Sequence, residues 1–248
     1  MRKCYQWKLM SKIRKRYFIR LAGRCLTFLI GVGMLIFTPE EFDILEGGNF
    51  FRRFSVLHIL WGVWVCDMIE QLVPVKKQVP LGSQKLFAMR FKPILEKVNA
   101  QALKQYIVNT TRSAFWVMLL WCALIAAIGW LHAVKILNHA ALLLISVAFY
   151  VCDLICVLFW CPFRLIMKNK CCTTCRIFNW DHIMMFSPLI FVGGFYSVSL
   201  VVMAAAALIV WEACVALYPE RFWEQTNGAL KCANCTDKLC TQYCRKLA

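Results

Sequence analysis

Lys168-Asn169-Lys170-Cys171-Cys172-Thr173-Thr174-Cys175-Arg176-Ile177-Phe178-Asn179-Trp180-Asp181-His182 is a compact polar island between two long apolar runs. It sets three cysteines among basic residues, and no other internal loop has that composition. The one comparable stretch is the C-terminal segment, with Cys232, Cys235, Cys240 and Cys244. A short basic island flanked by long apolar runs reads as a loop between membrane-spanning helices. Hydrocarbon cannot satisfy polar backbone outside regular helices, and Lys and Arg collect in loops on the cytoplasmic side.

The whole composition agrees. Hydrophobic residues make up 61% of the 248, against about 45–50% in soluble domains. The excess lies in runs near the ~20 residues that cross a bilayer. The net charge of +16 would point to nucleic acid in a soluble chain. Here the charges sit between apolar runs, so membrane topology accounts for them and no nucleic-acid partner is expected. The predicted fold class is all-α: a polytopic integral membrane protein of five or six spans.

Upstream of the island, residues 1–24 hold nine Lys or Arg and no acid. Leu9, Ile13, Tyr17 and Leu21 recur every four residues, along one side of a helix. The segment reads as an interfacial helix on anionic lipid headgroups, or as a basic arm that only sets topology. A first span follows over 25–37, extended back through Leu21 with Arg20 and Arg24 snorkelling. Residues 40–53 form the acidic loop, placed outside. Residues 54–73 are a second span. Residues 74–112 carry eight Lys or Arg against one Glu and belong inside, with a helix-like pattern over 93–106. Residues 113–133 and 139–160 are the third and fourth spans. The N-terminus is expected in the cytoplasm and the protein in a cytoplasmic (inner or plasma) membrane.

Residues 183–218 are ambiguous. Glu212 is the single charge among these 36 residues, and one straight helix would run ~54 Å, well beyond a ~30 Å hydrocarbon core. Either one span follows an interfacial helix and the tail lies outside, or two short segments turn near Gly193-Gly194 to Ser199 and the tail lies inside. The tail, 219–248, has five basic and three acidic residues, which leans inside.

Residues 57–69 and 143–155 share six of thirteen positions, including Val65-Cys66-Asp67 and Val151-Cys152-Asp153. This suggests a parallel repeat, 25–112 and 113–182. Asp67 and Asp153 are its chemical content. An intramembrane carboxylate is a functional candidate by default, while the plainer reading pairs each with an Arg or Lys. Glu70, three residues after Asp67, shares its helix face and has no acidic counterpart in the second half.

The chain has 15 cysteines, an odd number that excludes complete internal pairing. Cys66, Cys122, Cys152, Cys156 and Cys214 lie in apolar runs as small hydrophobes. The tail spacing, C-x2-C-x4-C-x3-C over Cys232, Cys235, Cys240 and Cys244, can place four sulfurs around one metal. It is similar to a zinc knuckle, with Cys as third ligand in place of His and a shorter last gap. That likeness covers 13 residues and implies no nucleic-acid function. Cys172-x2-Cys175, with Cys171, supplies further thiols, and His182 is the nearest histidine. Zinc is the expected cofactor, with an iron–sulfur cluster, external disulfides or unconnected thiols as the other readings.

No Gly-rich phosphate loop or Ser-His-Asp order is present. Three functions stay open. One is a non-enzymatic membrane component whose cytoplasmic cysteine module binds a protein partner or senses metal or redox state. Another is an ion or small-solute carrier using Asp67, Glu70 and Asp153. The last is an iron–sulfur electron-transfer protein.

Overall fold

The computed structural model describes residues 11–74, 81–94, 99–169, 171–235, 237 and 239. They are helical, with no sheet among them and one isolated antiparallel bridge, Pro93 to Asn227. The α-helices are α1 Lys12–Phe37, α2 Leu57–Leu72, α3 Leu81–Gln84, α4 Ala100–Ala133, α5 His139–Leu158, α6 Phe163–Met167, α7 Asp181–Phe186 and α8 Phe195–Leu217. Four of them, α1, α4, α5 and α8, are long and apolar enough to cross a membrane.

Local chemistry sets the helix starts. The side chains of Ser11, Asn99 and Asn138 accept from Arg14 N, Gln101 N and Ala141 N at 3.0, 2.9 and 2.8 Å, covering N–H groups that the first turn leaves without partners. α1 passes through residues 24 and 25 without a break. Its Tyr17 packs on Leu154 and Leu158 of α5, with Ile13 and Leu21 beside it, so the basic turns have a tertiary partner. α2 has 16 residues, about 24 Å, and is shorter than the expected 54–73.

The bundle has two chemically distinct ends. At the acidic end, Glu40, Glu41, Asp43 and Glu46 lie in or beside the 3-10 turn Pro39–Leu45. His139 Nδ1 meets Glu46 Oε1 at 3.2 Å there. At the basic end lie α3, α6, the loop through Cys171–Cys175 and the segment after α8.

Residues 183–218 are not one helix. From the basic end, α7 and the 3-10 turn Ser187–Phe191 rise to the acidic end, where Gly193 takes φ +80°. Gly194 lies so close to the 45–47 loop that a Cβ on it would stand 2.0 Å from the Leu45 carbonyl. Phe195 N donates to Gly47 O at 3.2 Å, and α8 then descends. The turn falls at the expected Gly193-Gly194, and the segment after α8 returns to the end that holds the Cys171–Cys175 loop.

That segment is packed structure through residue 230. Asn227 accepts from Lys92 N at 3.2 Å, and Gly228 N donates to Lys92 O at 2.7 Å. Glu212, the one charge of the apolar run, is held by the Arg176 guanidinium and by Trp180 Nε1 at 2.8 Å. The main core joins Trp64, Met68, Leu142, Phe186, Tyr196 and Leu200 between the two ends. Leu26, Leu29, Trp116, Leu120, Val202 and Ile209 are exposed around it, an apolar girdle suited to lipid.

Candidate functional site

The site is built on Arg24. Arg20 and Arg24 fall on one face of α1, Asp67 and Glu70 on one face of α2, and Asp153 on α5. Arg24 Nη1 donates to Asp153 Oδ2 at 2.8 Å and to the Tyr150 carbonyl at 2.6 Å. Its Nη2 lies 3.7 Å from Asp67 Oδ2. The guanidinium stacks 3.6 Å over the Tyr150 ring, and the Tyr150 hydroxyl donates to Asp67 Oδ2 at 2.7 Å. The two aspartates of the internal similarity therefore converge on one cation. Arg20 pairs with Glu70 at 3.0 Å on the exposed side.

This corrects the expectation that Arg24 snorkels. Its side chain is 9% exposed. Two carboxylates and a carbonyl replace the water it loses, which is what a buried guanidinium requires. The plainer reading of Asp67 and Asp153, as partners of an arginine, describes their observed contacts.

Next to the triad, Gln71 Nε2 donates to Asp181 Oδ2 at 2.8 Å, and His182 Nδ1 lies 3.3 Å from Asp181 Oδ1. Gln71 and His182 are buried, at 9% and 3% exposure. Gln71 Oε1 and His182 Nε2 have no hydrogen-bond partner among the described residues. Buried polar atoms of this kind call for an explanation.

These groups face a cavity of about 300 Å³ towards the basic end. Its wall is otherwise mostly apolar, with Trp121, Phe149, Phe163 and Met185, and it also carries Cys152, Cys156, Cys161, Cys171, Cys172 and Cys175. The carboxylates of the membrane region and the thiols of the 168–182 island thus line one chamber, a convergence that their sequence positions do not reveal.

Lys85 fixes the island's place. It is 1% exposed and donates to Thr173 O and Cys175 O at 3.2 and 2.7 Å, between the Trp211 and Phe222 rings. Burial pulls its ammonium down to about 7, where the neutral amine still offers two donors for two carbonyls. Burial also pushes the Cys175 thiol up, against the Ile177 N–H and the nearby Lys85.

The expected metal ligands fare differently. Cys171, Cys172, Cys175, Cys232 and Cys235 are all at the basic end and carry no disulfide. Cys240 and Cys244 lie outside the described residues. Among the described residues, no three or more His, Cys, Asp or Glu side chains are gathered as a metal site. Sequence reasoning missed Arg24, Lys85 and Cys161 as site residues. The usable signal for Cys161 was its place five residues after Cys156, next to a proline. Compared with models of known families, with curated proteins and with solved structures, the chain matches none.

Proposed function

We propose that the protein is a solute-binding membrane protein of the carrier type, whose chamber takes a small molecule with an apolar body and a cationic head. One observation carries this reading: Asp67, Asp153 and Asp181 face Arg24 and His182 in one mostly apolar cavity. Even a protonated His182 leaves that cluster with one negative charge too many. Glu70 is matched by Arg20. Arg164, also on the wall, carries a positive charge of its own, so the negative excess is local to the aspartates around Arg24 and His182. A local excess of that kind favours a bound cation or a proton. Gln71 Oε1 and His182 Nε2 stand ready as polar contacts.

In this reading the chain passes between the bilayer faces six times, through α1, α2, α4, α5, the 181–191 segment and α8. The basic end lies in the cytoplasm, by the bias of Lys and Arg to that side, and the basic turns of α1 meet anionic headgroups. The chamber is favoured over a zinc or iron–sulfur module because its residues are already gathered around a space.

The test is ligand-induced thermal stabilisation of the detergent-purified protein. Phenethylammonium should raise the melting temperature, whereas 2-phenylethanol and phenylacetate should not. Asp153→Asn should weaken binding by about tenfold or more, from the ~1.5–3 kcal/mol of a hydrogen bond to a charged group. Stabilisation by phenylacetate, or by none of the three, would reject the reading.

A further inference from the structure

Three acceptors around Asp181 lack a donor. Gln71 Nε2 donates to Asp181 Oδ2 at 2.8 Å. An ionised carboxylate only accepts, so the amide has a single orientation and its Oε1 is left as a bare acceptor. Asp181 Oδ1 meets His182 Nδ1 at 3.3 Å as an ion-pair contact without an aligned hydrogen bond. The carboxylate charge keeps the ring proton on Nδ1, and Nε2, across the ring, presents a lone pair. Among the described residues, the buried atoms Gln71 Oε1, Asp181 Oδ1 and His182 Nε2 all have no hydrogen-bond partner.

The neighbouring carboxylates are better supplied. Asp153 Oδ2 takes a guanidinium N–H from Arg24, and Asp67 Oδ2 takes the Tyr150 hydroxyl. The acceptors around Asp181 come from two elements, Gln71 in α2 and Asp181 with His182 in α7. All three residues line the chamber, so a bound molecule can reach them. A buried acceptor without a donor is costly, and three around one carboxylate call for a group that brings several donors at once. A primary ammonium carries three N–H groups on one atom, together with the positive charge that the aspartates lack. A quaternary ammonium has the charge and no N–H, and a hydroxyl has one O–H and no charge. A guanidinium fork matches both oxygens of one carboxylate, and here Gln71 already occupies Oδ2.

Resting on the cation-binding reading, we propose that the chamber selects primary ammonium compounds by their N–H groups, through Gln71 Oε1, Asp181 Oδ1 and His182 Nε2. Asp181 supplies the counter-charge, and the two neutral acceptors distinguish an N–H from an N-methyl group. Phe149, Phe163 and Met185 of the apolar wall take the body of the molecule. Selection of this kind is steep, because an analogue without the donors leaves the buried acceptors unpaired.

The experiment titrates purified full-length protein calorimetrically at pH 7 with four cations of equal charge: phenethylammonium and its N-methyl, N,N-dimethyl and N,N,N-trimethyl derivatives. Affinity should fall about threefold with each N–H lost, and about thirtyfold over the series. Bulk alone gives the same order, so the series is repeated with Gln71→Met, which keeps the length of the side chain and removes the amide. There the preference for the primary over the trimethyl compound should shrink by about threefold or more, through weaker binding of the primary one. His182→Phe is an independent second variant with the same expectation. Melting curves check that each variant is folded, and the wild-type series depends on neither. Trimethyl binding as tight as primary binding would overturn the proposal and leave the cation-binding reading standing. An undiminished preference in the folded variants would do the same. Binding of none of the four would overturn both.

Discussion

At the scale of single residues, Arg24 is a buried cation on which two helices besides its own converge. Two carboxylates depend on it, and the sequence separation from Asp153 is 129 residues. Arg24→Met should therefore destabilise the protein by about 3–5 kcal/mol, the usual cost of removing one partner of a buried ion pair. Adding Asp67→Asn and Asp153→Asn should restore much of that loss. Melting curves of the four proteins in detergent test the coupling; additive effects would reject it. Lys85 makes a different prediction, because its folded-state value of about 7 lies below the ordinary 10.5. Between those values the unfolded chain binds the proton that the folded chain has released, so stability rises with pH. The penalty is complete below pH 7 and fades towards 10.5. Cys171, Cys175 and Arg176 also act on Lys85, so the comparison is made against Lys85→Met. The wild type should gain more in melting temperature between pH 7 and 9 than this variant does.

At the scale of elements, the turn before α8 is the sharpest test. Gly194→Ala would bring a methyl group onto the Leu45 carbonyl, a backbone atom that cannot swing aside. Gly193→Ala would instead strain a left-handed backbone by roughly 1–2 kcal/mol. Both should lower the melting temperature, with Gly194→Ala the more damaging. The same region shows what the sequence could and could not tell. The end of 113–133 and the start of 139–160 were legible: α4 ends at Ala133, and α5 starts at His139 behind the Asn138 cap, whereas α4 begins well before 113, at Ala100, and α5 stops at Leu158. The 183–218 run was legible only as two alternatives, since uniform apolar composition records length but not direction. Only contact with Leu45 and Gly47 fixes where it turns. α2 is shorter than its apolar run because residues 54–56 precede its first turn. Arg24 was misread because a basic residue beside an apolar run looks the same whether it reaches out to headgroups or in to a carboxylate.

At the scale of the whole molecule, the arrangement predicts a labelling pattern. Single cysteines introduced at Lys92, Lys168 and Arg221 should react from one side of the membrane, and one at Gly48 from the other, when a thiol-free parent that still folds is probed with an impermeant maleimide. Reaction of Arg221→Cys from the same side as Gly48→Cys would reject the shared basic end. The ascent through residues 181–191 has a consequence for how the chain is made. Its six α-helical and five 3-10 residues rise only ~19 Å, and its backbone is irregular. Met185, Phe186, Ser187, Pro188 and Leu189 are all buried, so this segment is sheltered by neighbours and not by its own regularity. Such backbone is tolerated in a bilayer only where protein covers it. In the six-pass reading proposed above, the segment therefore has no stable resting place alone during synthesis, and enters with α8 as one hairpin against the helices already in place.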